Sequence, residues 1–530
     1  MARMGIDFGT TNTVVVVHDR GLFNVVGHEV NTAAGLVMRE VFPSSIVVEK
    51  DADRRWFGPE AERRLGLPGA GRGQTPIRSL KRQLRDYAEG RRVSAPEAAE
   101  AGICLPPIDE LLTGFLAALR DSIRRSQALN ESEPLETVIT WPANANGAQR
   151  HVTRHCFREA GFIVKGAMNE PTASAVELAE SRSAGSASGQ AAPTAVAVFD
   201  LGGGTFDASV VRLDGRDCHV LASGGIESLG GDDFDDVLFE MFLKKLKLPS
   251  DAPIPLLRQA LLRHARDQKE TIAGSSARSL MLNPDDFGLD WPVAVVSVRA
   301  FEKRIAPMLE PAVAMLRGVV ASATARDAAV DPERPGALSI CLVGGSSRLP
   351  LVARMVAEAF PAVRCVLTDK PFRSVAMGAA IRAVDRVNVR EVFARHFGLL
   401  RPRDHGRAEM FDTIFPAGTP LPAPGEPPLE RTTEYAPTHN IGHLHYLECA
   451  AVDAKGMPAD GVRPWSDVLF PYDPQLSMSQ PLSADQVVAT DSFAADRVSE
   501  VYRCDCDGVI SVELRRPSRG ESRCYEICRD

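Results

Sequence analysis

The stretch Gly5-Ile6-Asp7-Phe8-Gly9-Thr10-Thr11-Asn12 recurs in plan much later as Val198-Phe199-Asp200-Leu201-Gly202-Gly203-Gly204-Thr205. Each copy is an apolar strand that reaches an Asp, a tight Gly/Thr turn, and a second apolar strand. Two such hairpins in two α/β halves can face each other across a cleft. The spacing of the copies points to duplicated subdomains rather than to a solenoid. Glycine in the turns lets backbone N–H groups approach a ligand with no Cβ in the way. A concave row of such groups binds anions, phosphate above all. Thr10, Thr11 and Thr205 add hydroxyl donors. Asp7 and Asp200 would end strands at the cleft floor, where hard carboxylate oxygens can hold the water shell of Mg²⁺. One glycine-rich turn is ordinary turn chemistry; it is the matched pair that constrains the fold.

Two further turns extend the pattern. Leu342-Val343-Gly344-Gly345-Ser346-Ser347-Arg348-Leu349-Pro350 reads as a strand, a glycine pair and a helix start, which suits a nucleotide phosphate or ribose. Glu227-Ser228-Leu229-Gly230-Gly231-Asp232-Asp233-Phe234 is another Gly-Gly turn leading into a helix. Either alone is a tight connection. All four turns in one α/β region imply a shared nucleotide cleft.

The chain around them has 530 residues, enough for three or four domains and a large core. Its 61 basic against 69 acidic side chains give a net charge of −8, which argues against a nucleic-acid surface. No run of eighteen uncharged apolar residues occurs, so no membrane span is expected. The N-terminal residues lack the apolar core of a signal peptide. Ten cysteines in so long a chain suggest reduced cytoplasmic thiols rather than a disulfide scaffold.

Up to about residue 383, short β-branched runs (14–17, 137–141, 196–200, 294–298, 339–343) alternate with helical patterns (108–128, 149–160, 172–180, 234–246, 301–325). The small-residue segment 181–194 reads as a surface loop. Beyond 400, Pro and Gly become frequent and short alternating runs appear at 443–449 and 509–515. Asp507-Gly508 signals a hairpin there. The expected layout is an α/β domain over 1–385, a linker over 386–400 and a small, mainly β domain over 401–530.

These motifs resemble the nucleotide-binding domain of the DnaK-type, 70-kilodalton heat-shock family, within the actin-like ATPase fold of two duplicated α/β subdomain pairs. The similarity continues through Val138-Ile139-Thr140-Trp141-Pro142-Ala143, Ala148-Gln149-Arg150, Asn169-Glu170-Pro171-Thr172-Ala173-Ser174-Ala175 and 374–380. It implies an ATP-hydrolysing chaperone that uses ATP/ADP and Mg²⁺, with K⁺ as an additional candidate ion. Thr10, Thr11 and Asn12, with Gly9, match the first phosphate loop, and Gly202, Gly203, Gly204 and Thr205 the second. Asp7, Asp200 and Asp207 match the carboxylates around metal and attacking water, Asp7 and Asp200 holding the metal through water. Glu170 matches the acid that orients that water, and Lys81 the catalytic lysine; a solvated basic helix face (Arg78, Lys81, Arg82, Arg85) is the plainer reading of Lys81. Gly230, Gly231, Lys269, Gly344, Gly345, Ser346 and Arg348 fall on nucleotide-contacting positions. Pro142, Arg150 and Glu170 match the family's relay from the phosphate site.

The adenosine end departs from the family. Arg266 stands where a carboxylate is usual, and Ala273 replaces a Ser; Asp267 or Glu270 is the candidate to reach the ribose. The tail resembles the family's peptide-binding β domain at 413–422 and again at 502–514, 518–520 and 525–527, with no helical lid. The implied partners are extended protein segments, a J-type co-chaperone and a nucleotide exchange factor, with no nucleic acid. Cys504, Cys506, Cys524 and Cys528 lack zinc-knuckle spacing, so packed or exposed thiols are expected there. His443 and His445 share a strand face, with His439 nearby, and read as surface polar residues. Two rival readings are an ATP-holding adaptor with little hydrolysis and a small-molecule kinase on the same fold.

Overall fold

The computed structural model describes residues 2–32, 35–49, 54–65, 74–87, 91–95, 104–127, 129–130, 132–184, 195–246, 254–273, 277–288, 291–403, 408–477, 480–490, 492, 497–516 and 520–527. Most of the small-residue segment (185–194), Ser518, Arg519 and Cys528 lie outside them. Two compact units emerge. One comprises Met1–Asn144 with Val152–Val387, the other Ala145–His151 with Asn388–Asp530.

The first unit is built on two sheets. One contains β1 (Ala2–Phe8), β2 (Asn12–Asp19), β3 (Leu22–Val25), β4 (Leu135–Trp141) and β5 (Ile163–Asn169) in the order β5–β4–β1–β2–β3. The other contains β6 (Ala195–Leu201), β7 (Phe206–Asp214), β8 (Asp217–Ile226), β9 (Leu338–Val343) and β10 (Arg364–Leu367), running β10–β9–β6–β7–β8. In both, the first three strands pair antiparallel and the remaining two parallel. The same topology therefore appears twice, as the repeated hairpin predicts. β6 is buried at every residue, the continuous apolar run of a strand covered on both faces.

Helices clothe these sheets: α1 (Ile108–Ser126), α2 (Glu170–Ala184), α3 (Gly231–Leu246), α4 (Ile254–Glu270), α5 (Val298–Arg326) and α6 (Ser374–Ala383). On α1, Leu112, Phe115, Leu119 and Ile123 recur at three- and four-residue steps and are buried. Small residues on α6, Ala376 and Ala380, pack directly against Val14 and Val16 of β2. The strand expected over 294–298 stops at Ser297. Its hydroxyl accepts from the Ala300 N–H and caps α5, so Val298 opens a helix instead. By length and composition α5 could cross a membrane. Here its stripe Phe301, Ile305, Leu309, Ala312, Leu316 and Val320 is buried in the core beside β7 and β8.

The second unit is a β-sandwich of β11 (His396–Arg403), β12 (Ala408–Phe415), β13 (Leu429–Tyr435), β14 (Ile441–Cys449), β15 (Arg463–Pro471), β16 (Val498–Cys504), β17 (Ile510–Arg516) and β18 (Glu521–Glu526). Its sheets run β12–β11–β14–β15 and β13–β16–β17–β18. Phe397 and Leu399, inside the range expected as linker, belong to its core with Phe470, Val512 and Leu514. Asp507-Gly508 does sit in a hairpin, but the loop spans 505–509, and Asp505 Oδ1 accepts from the N–H groups of Asp507 and Val509. Among the described residues of this unit beyond 388, the helical content is one 3₁₀ turn, Ala484–Gln486.

A buried polar knot ties this sandwich together. Glu500, wholly buried on β16, accepts from the Tyr435 hydroxyl at 2.5 Å and the Tyr502 hydroxyl at 2.6 Å. It is also ion-paired with Arg401 Nη2 at 2.5 Å, and Arg401 Nε reaches Asp412 at 2.8 Å. The Tyr435 and Tyr472 hydroxyls lie 2.6 Å apart. Cys504 is buried in the same core, while Cys524 is exposed.

Candidate nucleotide site

The two repeated hairpins bring their turns face to face within the first unit. In one, Asp7 pairs with Val14 and Phe8 with Thr13, leaving Gly9, Thr10 and Thr11 as the turn. In the other, Asp200 pairs with Asp207, and the Gly202 N–H donates to the Thr205 carbonyl at 3.1 Å to close the turn. The turns are in contact. A Cβ at Gly203 would sit 2.1 Å from Thr11 Oγ1, so any side chain there would have to displace Thr11. Gly344 has φ +85°, and a Cβ there would lie 2.6 Å from Asp200 Oδ1, which explains the first glycine after β9.

Beneath the turns lies a concentration of charge. Directly opposite residues of an antiparallel pair share a face, so Asp200 and Asp207 project together, which repulsion disfavours. Asp7 and Glu170 join them, and Lys81 supplies the ammonium of the group, ion-paired with Glu170. Lys81 is only 4% exposed, so it is not part of a solvated basic face. Burial, then the Glu170 charge, pushes Asp7 up to about 7 and Asp207 likewise to about 7. Burial, with Glu170, Asp207 and Asp7 after it, raises Asp200 well above the usual carboxylate range. Burial works to lower Lys81, but Glu170 and Asp7 outweigh it and hold the ammonium charged. Thr140 Oγ1 donates to Asp7 at 3.4 Å, and the Asn144 N–H donates to Asp207 at 3.3 Å. Four carboxylates against one ammonium form a hard-oxygen set that fits a divalent cation such as Mg²⁺.

The cleft wall includes Asp7, Gly9, Thr10, Thr11, Asn12, Lys81, Glu170, Asp200, Gly202, Gly203, Thr205, Gly231, Lys269, Gly344, Gly345, Ser346 and Arg348. Three other sequence candidates stand behind it. Gly204 packs on Thr10, Gly230 backs the Gly203 carbonyl, and Asp207 sits beside Asp200 on the neighbouring strand.

The far end of the cleft explains the unusual Arg266. Its guanidinium reaches Asp232 at 2.7 Å and Asp235 at 3.0 Å, so these two acids hold its charge. Lys269 Nζ donates to the Gly231 carbonyl at 2.7 Å and reaches Asp235 at 2.7 Å. Glu270 lines the cleft beside Ala273 and Phe372, whereas Asp267 faces a neighbouring hollow. Burial raises the Glu270 carboxyl, with Lys269 and Arg266 opposing. Of the two acids considered from sequence, Glu270 lines this cleft and Asp267 does not.

Sequence reasoning missed the bridge across the cleft. Arg82 donates from Nε to the Gly204 carbonyl at 2.7 Å and pairs with Asp233 at 2.6 Å. Ser79 Oγ donates to Asp232 at 2.5 Å from a left-handed backbone, φ 52°. The signal was present in Asp232-Asp233 after the glycine pair and in Arg82 beside Lys81. Read singly, the first is a helix start and the second a surface cation.

Comparison with known proteins follows the same lines. A family model described as Hsp70 protein matches residues 109–393. A protein named chaperone protein HscA homolog from Pseudomonas fluorescens is 33% identical over 401 residues, covering 72% of this chain and 57% of that protein. The like-named protein of Azotobacter vinelandii is 32% identical over 391 residues, with the same coverages. Chaperone protein HscA of Escherichia coli O17:K52:H18 is 34% identical over 389 residues, again 72% of this chain and 57% of its own length. The chain thus spans little more than half the length of the curated relatives it matches.

Proposed function

The chain belongs to the Hsp70 family, and from that premise we propose that it binds and hydrolyses ATP in this cleft and that nucleotide state governs protein binding by the β unit. The observation that carries the reading is the cluster of Asp7, Glu170, Asp200 and Asp207 with buried Lys81 beneath two touching Gly/Thr turns. Backbone N–H groups of the turns, with Thr10, Thr11, Asn12 and Thr205, hold the phosphates. Asp7 and Asp200 hold Mg²⁺, which when bound neutralises phosphate charge. Lys81, steadied by Glu170, places positive charge where the transferring phosphoryl group develops negative charge. Asp207, whose carboxyl burial raises to about 7, can hold the proton that an attacking water gives up. Glu270, Lys269, Ser346 and Arg348 receive the nucleoside, the planar Arg348 guanidinium stacking on the base.

The proposed partners are extended protein segments held by backbone pairing in the β unit, together with a J-type co-chaperone and a nucleotide exchange factor. Pro142, Arg150 and Glu170 form the proposed relay, and the cytoplasm is the proposed location. The chaperone names of the relatives favour this reading over an adaptor that merely holds ATP or a small-molecule kinase.

The test is calorimetry of Mg·ATP on the full chain, followed by single-turnover hydrolysis. Lys81→Ala and Thr205→Ala are expected to lower the hydrolysis rate at least about a hundredfold with ATP affinity changed far less, as befits groups acting on the transition state. No ATP binding at millimolar nucleotide would end the proposal, and wild-type rates in both variants would remove these residues from catalysis.

A further inference from the structure

Away from the cleft, the two histidines expected to share a strand face, His443 and His445, converge with Asp467 on the exposed face of the β unit. Along β14 the side chains alternate. Leu444 and Tyr446 enter the core, while His443 and His445 stand on the opposite face. Asp467 of β15 is the cross-strand partner of His445. Its Oδ1 lies 2.8 Å from His445 Nδ1, and its Oδ2 lies 3.2 Å from His443 Nε2. The two imidazole rings are 3.8 Å apart, centroid to centroid. One ligand atom from each residue falls within 4.8 Å of the others.

We propose that His443, His445 and Asp467 bind one divalent transition-metal ion of the imidazole-preferring kind, such as zinc, cobalt or nickel. A tetrahedral ion at the usual bond lengths holds its nitrogen and oxygen donors roughly 3.3 Å apart. The two observed nitrogen–oxygen separations, 2.8 and 3.2 Å, lie just inside that spacing, so the donors need to spread by at most about half an ångström to admit the ion. Each imidazole ligates through the lone pair of the nitrogen facing Asp467 and carries its hydrogen on the other nitrogen, so neutral rings bind by a change of tautomer. The carboxylate offsets part of the ion's charge, and among the described residues no Lys or Arg side chain pairs with it. Rigid neighbouring strands fix the three donors, and partial exposure leaves the remaining coordination position to water. Two uncharged imidazoles against one carboxylate favour a borderline ion over Mg²⁺, which separates this site chemically from the all-oxygen cleft.

The experiment titrates Co²⁺ into the full chain, with excess Mg²⁺ to occupy the cleft, and follows the visible absorption. One equivalent should bind with a nitrogen/oxygen spectrum lacking intense thiolate charge-transfer absorption. His443→Ala, His445→Ala and Asp467→Asn should each weaken binding at least about tenfold, since even supporting groups around a metal are worth that much. Cys506→Ser and Cys524→Ser should leave it unchanged. In parallel, Zn²⁺ should raise the melting temperature of the wild-type chain but not that of the His443→Ala/His445→Ala double variant. The proposal is overturned if the double variant binds Co²⁺ as tightly as wild type, if wild type binds none, or if the spectrum is that of a thiolate site lost in Cys524→Ser.

Discussion

At the cleft floor the energetic problem is one of crowded like charge, and Asp207 is where it can be measured. Its carboxyl is raised to about 7 by burial and by Glu170, whereas in the unfolded chain it ionises near 4. As pH climbs between those values the unfolded chain gives up this proton while the folded one keeps it. The metal-free protein therefore loses stability across that window. Asp207→Asn should make the metal-free chain more stable than wild type at pH 8, by on the order of a few kcal/mol, with the difference vanishing near pH 4. Urea denaturation in the presence of a chelator at both pH values checks this, and a pH-independent difference would mean the repulsion is absent. Mg²⁺ should shrink the gap by favouring the ionised carboxylate. Much of this floor was legible, because Asp–Gly–Thr hairpins announce themselves by residue type. Arg82 and Asp233 were not, since an ion pair across 151 positions leaves no local pattern.

At the scale of a strand, β16 shows what alternation reveals and what it conceals. Val498, Glu500, Tyr502 and Cys504 are all buried on the inward register of a half-apolar strand. A reading that looks only for apolar alternation passes over Glu500, although its parity places it inside. Glu500 is compensated by Arg401, whose charged form is favoured by that carboxylate even though burial opposes it. Removing one member of a buried pair strands the other. Glu500→Ala should therefore cost about 3–5 kcal/mol, and Glu500→Gln, which keeps the shape and an acceptor oxygen, distinctly less. Denaturant unfolding of the full chain followed by tyrosine and tryptophan fluorescence measures both. Equal losses would show that shape rather than charge matters. The start of α5 was misplaced for a similar reason: Val298 is β-branched, but the Ser297 cap decides the local conformation.

For the whole molecule, the doubled sheet order makes the first unit the part most fully written in the sequence. The sandwich was legible only in outline, because short strands with frequent Pro and Gly fix class but not pairing. The proposed switch predicts that labelled extended peptides bind the full chain with different affinity in ATP and in ADP, by about 1–3 kcal/mol of coupling. With no helical lid among the described residues of the β unit, the difference should lie mainly in the dissociation rate. Fluorescence anisotropy in the two nucleotides decides it. Equal affinities would leave an ATPase whose β unit serves another purpose.

The tyrosine knot around Glu500 also gives the sandwich an optical signature of its own. Of the six tyrosines in the chain, Tyr435, Tyr446, Tyr472, Tyr502 and Tyr525 belong to the sandwich. Burial raises every one of these phenols above its ordinary range. At a pH where an ordinary phenol ionises, these groups are expected to stay protonated in the folded sandwich and to ionise once it unfolds, so a rise in phenolate absorbance should follow the loss of that unit without any label.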